Sequence, residues 1–281
     1  MSRKCTHRSA SSYLLSSILA VHVLFGLSQP FHFTDVFLEE DSKLRRVMLK
    51  RYARFEVQLL RVFYWILNSP LMSNKWTRKG FYYCITKFMA ERAIASQVMT
   101  LGEIERFIID ELPEDSRIAV GPCRCRLATR ACDHPVETDI VILTGTSIWL
   151  ELFPKDYRVI EKDEALRIVR ECYEMGLVPM LDRHMYWKAT SNYFVICNCC
   201  GCSCLPIIGM RTFKRDGYHY IPSAYRSVVD ASSCKACGTC VEVCSWNERL
   251  VRAGRARVLD CHGCGQCVAA CPNSANSMIN R

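Results

Sequence analysis

The feature that most constrains this chain of 281 residues is the uneven placement of its 19 cysteines. Two lie before residue 123, nine lie between residues 123 and 204, and eight lie between residues 234 and 271. Disulfide-rich scaffolds are usually shorter than about 80–100 residues, because their small cores need covalent support. A chain of this length with 50% apolar residues can build a core of its own. The cysteine clusters therefore indicate metal binding.

The last eight cysteines form an internal repeat. The spacing C-x2-C-x2-C-x3-C occurs twice, and the second run starts 27 residues after the first. The two runs are Cys234, Cys237, Cys240 and Cys244, followed by Cys261, Cys264, Cys267 and Cys271. Such short intervals let a tight loop wrap three thiolates around one inorganic cluster, and Gly238 and Gly265 permit the positive φ that this loop needs. Paired zinc ribbons would explain CxxC pairs but not two complete runs with one spacing.

This C-terminal segment resembles the bacterial ferredoxins that hold two [4Fe–4S] clusters, in which the fourth cysteine of each run ligates the other cluster. The resemblance implies a ferredoxin-like fold. It also implies one cluster held by Cys234, Cys237, Cys240 and Cys271 and a second held by Cys261, Cys264, Cys267 and Cys244. Pro272 follows the second run as in that family, whereas Ser245 takes the place of the proline after the first.

Eight further cysteines lie in the segments GPCRCRLATRACDHPVE and ICNCCGCSC, and are candidate ligands of an additional centre. They are Cys123, Cys125, Cys132, Cys197, Cys199, Cys200, Cys202 and Cys204. Each segment follows a predicted strand, so neighbouring strands would bring the two segments together at one edge. Eight thiolates could ligate two more clusters, or one cluster with spare ligands, and the crowding of Cys199 against Cys200 favours the second. Ligand softness favours iron–sulfur over zinc and leaves Cu(I) open.

The two central segments are similar to those of anaerobe iron–sulfur proteins that place a CxCR…C…HPxE segment and a CNCC-rich segment ahead of a ferredoxin module. In that pattern a cysteine often lies near the position of Asp139, so this chain has either an oxygen ligand or one ligand fewer. His134 is expected at the surface or, less favoured, as a ligand. Three arginines of the first segment either donate to cluster sulfurs or are solvated, namely Arg124, Arg126 and Arg130. Cys5, Cys84 and Cys172 are predicted to ligate nothing.

The formal net charge of +9 is concentrated in one segment. Residues 43–92 carry twelve Lys and Arg against Glu56 and Glu91, together with ten aromatic residues. The pattern predicts one or two amphipathic helices. Their basic aromatic surface would suit an acidic redox partner protein or the surface of an anionic membrane. Nucleic acid is the least favoured partner, because no nucleic-acid motif accompanies the charge.

An apolar run from Tyr13 to Leu27 follows three basic residues. It is shorter than the roughly 18–20 residues that cross a bilayer, which favours a core or interfacial helix over an anchor. Gly26 and Ser28 leave a signal-peptide cleavage site as an alternative. Because clusters of this kind are inserted in the reducing cytosol, we expect a cytoplasmic protein, with membrane association as a further candidate.

The chain is expected to be α+β, with a helical basic region at 1–99, a mixed α/β cysteine-rich domain at 100–220 and a ferredoxin-type domain at 221–281. A capping box at Thr100 and Glu103 predicts a helix start, and apolar spacing predicts a helix over 163–175 that ends at Gly176. Short β-branched runs predict strands at Arg117–Gly121, Ile140–Leu143, Leu177–Leu181 and Tyr193–Ile196.

These features together predict an iron–sulfur electron-transfer protein or redox-complex subunit, whose two ferredoxin clusters relay electrons to or from a central metal site. The alternative is an oxidoreductase or activase with a catalytic central cluster, in a pocket lined by His134, Glu137, Arg183 or His184. A redox-sensing nucleic-acid binder comes third. Motifs for phosphate loops, dinucleotide binding, zinc proteases and haem attachment are absent from the sequence.

Overall fold

The computed structural model describes residues 43–86, 94–184, 193–214 and 221–281. Within them the protein contains both helices and antiparallel sheets, so the fold class is α+β, as the sequence predicts. The predicted helix at 13–27 and Cys5 lie outside the described residues.

Two helices carry most of the basic segment, and they confirm the prediction of one or two helices there. They are α1 (Lys43–Leu67) and α2 (Lys75–Phe81), joined by a 3₁₀ turn at Pro70–Ser73 and followed by a π-helical turn at Tyr82–Thr86. Asn74 begins α2 by accepting hydrogen bonds from the backbone N–H groups of Trp76 and Thr77. This side-chain cap satisfies donors that the first helical turn leaves free.

A six-stranded antiparallel sheet forms the middle of the molecule, in the order β1-β5-β6-β3-β2-β4. Its strands are β1 (Ile94–Val98), β2 (Ile118–Pro122), β3 (Glu137–Leu143), β4 (Arg158–Ile160), β5 (Val178–His184) and β6 (Tyr193–Cys199). The helices between and after them are α3 (Leu101–Arg106, continued by a π turn at Phe107–Glu111), α4 (Arg124–Thr129), α5 (Thr144–Leu152), α6 (Lys162–Glu174) and α7 (Leu205–Phe213).

The sheet order brings the two central cysteine segments together. Strands β2 and β6 both pair antiparallel with β3, so they run parallel to each other and end at the same edge. The first cysteine segment begins where β2 ends, and the second begins within the last residues of β6. The predicted meeting of the two segments at one edge is therefore confirmed.

The two faces of the sheet carry different layers because side chains alternate along each strand. One face places Val120, Ile140 and Ile196 against α3 and α6. The opposite face places Val141 and Val195 against α5 and α1. The α1 helix is therefore part of the folded core and not a detached arm.

Several local predictions are confirmed. The capping box at Thr100 is present, with Glu103 bonding back to the Thr100 backbone. Helix α6 and the strands β2, β3, β5 and β6 occupy the predicted stretches, and Gly176 stops α6 with a φ of +84°.

Some elements differ from the predictions. Strand β1 lies within the stretch 1–99 that the sequence predicts to be helical, and it joins the sheet at β5. Helices α5 and α7 were not predicted, because their sequences TGTSIWLEL and LPIIGMRTF contain residues of low helix propensity. Both helices form because they bury apolar side chains, Trp149 on α5 and Phe213 on α7 among them.

The last 61 residues form two short ladders, each antiparallel, and two single-turn helices. The strands are β7 (Tyr225–Val229), β8 (Arg249–Arg252), β9 (Arg255–Val258) and β10 (Asn276–Asn280), with β7 paired to β10 and β8 to β9. The helices are α8 (Thr239–Glu242) and α9 (Gln266–Ala269), and each starts at a glycine of positive φ, Gly238 or Gly265. The internal sequence repeat is thus a structural repeat.

Candidate metal centres

The eight C-terminal cysteines line two separate cavities. One, of about 10 Å³, is lined by Cys234, Cys237, Cys240 and Cys271; these residues are called the first quartet. The other, of about 20 Å³, is lined by Cys244, Cys261, Cys264 and Cys267; these are the second quartet. Each quartet combines three cysteines of one run with the fourth cysteine of the other run.

Backbone N–H groups point at four of these sulfurs. The donors and acceptors are Ala256 to Cys234 at 3.4 Å, Ala275 to Cys271 at 3.2 Å, Ser227 to Cys261 at 3.3 Å and Glu248 to Cys244 at 3.4 Å. Hydrogen bonds to ligand sulfurs stabilise thiolate charge and tune a cluster's potential. Each quartet of thiols, with its N–H donors and close backbone loop, offers the ligands that a metal cluster needs.

The quartets differ in exposure. In the first quartet Cys237 is exposed, and hydrogen bonds from Thr239 lower the pKa of its thiol. In the second quartet Cys267 is buried, and burial raises the pKa of its thiol. The first quartet therefore reaches solvent more directly than the second.

A cavity of about 50 Å³ lies where the central cysteine segments meet. One water molecule needs roughly 10–15 Å³, so the cavity can hold a group of several atoms. Six of the eight candidate cysteines line it, and five of them are called the cavity thiols: Cys123, Cys125, Cys197, Cys199 and Cys204. Side-chain interactions link Cys125 to Cys204, Cys204 to Cys199, and Cys199 to Cys197. The pKa of each linked thiol is raised. A hydrogen bond with a neighbouring thiol and burial both raise it at Cys125 and Cys199, whereas at Cys197 and Cys204 such a bond lowers it and is outweighed by burial and nearby acidic groups or thiols.

Two buried carboxyl groups border the cavity thiols. The Cys197 thiol donates to Asp139 at 3.5 Å and to Asp182 at 3.4 Å. Burial raises the pKa of Asp139 to about 7 and that of Asp182 to about 6. Asp139 lines the same cavity, so its carboxylate is in reach of the cavity thiols as an oxygen ligand.

Helix α1 covers this cavity. Tyr52, Glu56 and Leu60 on its inner face are among the lining residues. Glu56 accepts a hydrogen bond from Arg124 Nε at 3.1 Å, and a weaker one from the Tyr52 hydroxyl at 3.4 Å. The Arg124 guanidinium also lies 4.5 Å from the centre of the Phe153 ring. A predicted surface segment thus supplies one wall of the central site.

Arg126 brings a second buried positive charge. Its side chain is 2% exposed and donates to the backbone oxygen of Asn198 at 3.0 Å and to the Thr138 hydroxyl. Its Nε has no protein partner, although it is buried and Arg126 lines the cavity. An unpaired donor in this position fits an anionic group that shares the site. Of the three arginines, only Arg130 is exposed.

The remaining three central cysteines form a separate group. The sulfurs of Cys132, Cys200 and Cys202 all lie within 4.8 Å of one another. The Cys132 and Cys200 sulfurs are 3.7 Å apart, and the Ser203 hydroxyl is 3.2 Å from the Cys132 sulfur. Cys200 also borders the cavity.

The second quartet and the central cavity share one packed core. Cys199 and Cys204 belong to the same cluster of buried side chains as Trp246, against which Cys244 and Cys264 also pack. A Cβ on Gly201 would lie 3.2 Å from the backbone oxygen of Ser245. The two cysteine-rich loops are therefore in direct contact, and Ser245 lies at that contact.

Other predicted site residues lie elsewhere. His134 does not line the cavity, and Glu137 is exposed and pairs with Arg158 at 3.0 Å. The side chains of Arg183 and His184 lie outside the described part of the structure. Cys172, on α6, is buried in the core, whereas Cys84 is exposed.

The lining residues that sequence reasoning missed include Tyr52, Glu56, Trp149 and Asp182. Only Asp182 carried a local signal, because it is a charged residue at the end of the apolar run Leu177–Leu181. A charge within a buried strand is rare unless it serves a site.

Comparison with protein-family models, with curated proteins and with solved structures found no match for this chain. Within the described residues, no helix is both long enough and apolar enough to pass through a bilayer.

Proposed function

We propose that this protein is an iron–sulfur electron-transfer protein or a subunit of a redox complex. Its residues 221–281 would form a ferredoxin-type module with one [4Fe–4S] cluster on each quartet, and a further iron–sulfur centre would bind the cavity thiols. The observation that supports this most is the sorting of the C-terminal cysteines into two crossed quartets, each lining its own cavity. Clusters of this type supply reversible one-electron transfer.

In this proposal the first quartet, the second quartet and the cavity lie in that order along one electron path. The first quartet has the exposed Cys237, whereas the second quartet packs through Cys244 and Cys264 on the core that contains Trp246, Cys199 and Cys204. The first quartet is thus the outer end of the path and the second its connection to the cavity. Tyr173 strengthens this contact, because its hydroxyl donates a hydrogen bond to the backbone oxygen of Cys264 at 3.3 Å.

A catalytic central centre is the second candidate function. It is favoured by the two carboxyl groups beside Cys197, because an oxygen ligand is exchanged more readily than a thiolate at a soft metal. In that case the ferredoxin module would supply electrons to an oxidoreductase or activase reaction in the cavity.

Iron, sulfide and zinc quantification on the anaerobically purified chain, with EPR of the reduced protein, tests the proposal. We expect about twelve iron atoms per chain, eight from the module and four from the cavity. The Cys271→Ser and Cys244→Ser variants should each lose one module cluster, and Cys204→Ser should lose the cavity centre alone. Eight iron atoms in wild type, unchanged in Cys204→Ser, would overturn the central centre; fewer than eight would overturn the module.

The outer face of α1 is the proposed docking surface for a redox partner. Val47, Phe55, Val62 and Trp65 share one side of the helix, opposite the buried Ala53 and Glu56, and Phe55 and Trp65 are 68% and 69% exposed. Exposed apolar groups of this size among basic residues mark an interaction surface. A partner on this face would be separated from the cavity by one helix, about 10 Å in diameter.

An anionic membrane is the second candidate for this face, supported by Trp76, which is 80% exposed on α2. Flotation of the full chain with anionic and with zwitterionic vesicles decides between the two. Binding to anionic vesicles alone, lost in a Trp65→Ser, Trp76→Ser variant, would favour the membrane. The absence of flotation would favour a protein partner. In either case we propose that the protein works in the cytoplasm.

A further inference from the structure

Cys199 and Cys200 pack on different sides of the sheet although they are neighbours in sequence. Cys199 ends strand β6 and packs with Val98 and Met180 on one side of the sheet. Cys200 packs on the other side, in the core that contains Cys172 and Ile196. Side chains of consecutive residues in extended chain point to opposite faces, so one metal centre cannot readily take both thiols.

The spacing of the group on the Cys200 side fits a single metal ion. The sulfurs of Cys132, Cys200 and Cys202 lie within 4.8 Å of one another, and the Cys132–Cys200 distance is 3.7 Å. A tetrahedral ion with metal–sulfur bonds of about 2.3 Å holds its ligand sulfurs about 3.8 Å apart. The pair is therefore already at the separation that one ion requires.

The two quartets provide an internal comparison. All eight of their cysteines are described, yet no three of their sulfurs lie within 4.8 Å of one another, as those of Cys132, Cys200 and Cys202 do. In a cubane cluster each thiolate binds a different iron, so the ligand sulfurs diverge. The widely spaced sulfurs of the quartets therefore suit clusters, whereas the closely spaced sulfurs of Cys132, Cys200 and Cys202 suit one ion.

We propose that Cys132, Cys200 and Cys202 bind one Zn²⁺ ion, separate from the iron–sulfur centre of the cavity. Three thiolates are soft ligands that select zinc over hard cations, and zinc accepts tetrahedral sites of this kind. Cys202 is exposed, so the ion has access from solvent and the fourth coordination position can hold water. Three thiolates and Zn²⁺ leave a net charge of −1, which the buried guanidinium of Arg126 beside Cys200 offsets.

The ion would connect two segments that lie far apart in sequence. Cys132 follows α4, whereas Cys200 and Cys202 lie in the turn between β6 and α7. The same two segments carry the cavity thiols. Zinc binding would therefore fix the two walls of the cavity relative to each other, because metal-binding free energy is available only when both segments are in place.

Metal analysis of the full chain, purified anaerobically, tests the proposal together with X-ray absorption at the zinc edge. We expect one zinc per chain with three sulfur neighbours at about 2.3 Å. The Cys132→Ser, Cys200→Ser and Cys202→Ser variants should each lose at least nine-tenths of this zinc and keep their iron. Cys172→Ser, a change to another buried cysteine of the same core, should keep both metals.

If the Cys200→Ser variant fails to fold, the Cys202→Ser variant still tests the proposal. Cys202 is exposed, so a serine there does not disturb the buried core. Absence of zinc from wild type, or a loss of iron in Cys202→Ser with zinc unchanged, would overturn the zinc site. Failure of the proposed electron-transfer function is a different result, namely zinc present with no iron on the quartets.

Discussion

Glu56 on α1 accepts a hydrogen bond from Arg124 Nε at the start of α4, with 3.1 Å between the two atoms. The side chains are 3% and 9% exposed, so the pair is buried. Burial raises the pKa of Glu56, and the Arg124 charge opposes that rise. The pair fastens α1 over the cavity.

Replacement of Glu56 by alanine should destabilise the protein by about 3–5 kcal/mol, because Arg124 would be left buried without its partner. The loss should appear as a lower midpoint in anaerobic urea unfolding followed by circular dichroism. Lys50→Ala is the matched control on the same helix, since it removes the solvent-exposed pair with Glu151 and should cost less than about 1 kcal/mol. Equal effects of the two changes would show that the buried pair does not hold α1 in place.

Two glycines in equivalent cysteine loops should respond differently to alanine. Gly263 has a φ of +84°, and a Cβ there would overlap the backbone oxygen of Tyr225 and come within 2.7 Å of Ser223 Cβ. Gly238 has a φ of +89°, but a Cβ there would meet nothing within 4 Å. Gly238→Ala should therefore cost about 1–2 kcal/mol from the left-handed backbone alone, whereas Gly263→Ala should also disrupt the loop of the second quartet.

Iron content and thermal unfolding of both glycine variants measure this difference. Gly263→Ala should lose about four iron atoms per chain, and Gly238→Ala should keep all of them with a modest fall in unfolding temperature. Full iron content in Gly263→Ala would contradict the close approach of the two backbone segments.

Oxidants should remove the cluster proposed for the first quartet before the cluster proposed for the second. Cys237 is exposed and Cys271 has a thiol pKa below its ordinary value, since several backbone N–H groups outweigh its burial. Exposed, low-pKa thiolates are the most easily oxidised. Treatment with limiting ferricyanide, followed by EPR, should remove one cluster signal first, and the Cys271→Ser variant should lack that early phase. An unchanged early phase in Cys271→Ser would assign the labile cluster to the other quartet.

Local sequence patterns predicted the parts of the fold that depend on neighbours in the chain. The capping box at Thr100, the stop at Gly176 and the repeated cysteine spacing each involve residues within a few positions of one another. These features depend on local backbone geometry, which residues close together in the sequence determine. The meeting of the central cysteine segments was also predictable, because both follow strands.

The central site depended on partners that local patterns do not reveal. Glu56 appeared in the sequence only as one of two acids in a basic segment, and its pairing with Arg124 spans 68 positions. The adjacent pair Cys199 and Cys200 indicated in the sequence that not all of the central cysteines would ligate one centre. The form of this division follows from the placement of Cys132 against Cys200 after the sheet is assembled: six thiols line the cavity, and one of them, Cys200, also lies beside Cys132 and Cys202.

Trp246 should set the reduction potential of the cluster that we propose for the second quartet. Its indole is 3% exposed, lines the cavity of that quartet and lies 5.0 Å from the His262 ring between centroids. Trp246→Ala would admit water, and water favours the more negatively charged reduced cluster, so the potential should rise. Trp149→Ala is the control, since it removes a tryptophan of equal burial beside the central cavity. Both should cost about 3–5 kcal/mol in stability, yet only Trp246→Ala should shift the potential in an EPR-monitored redox titration. A shift of the same size in Trp149→Ala would show that general loosening, and not shielding by Trp246, controls that cluster.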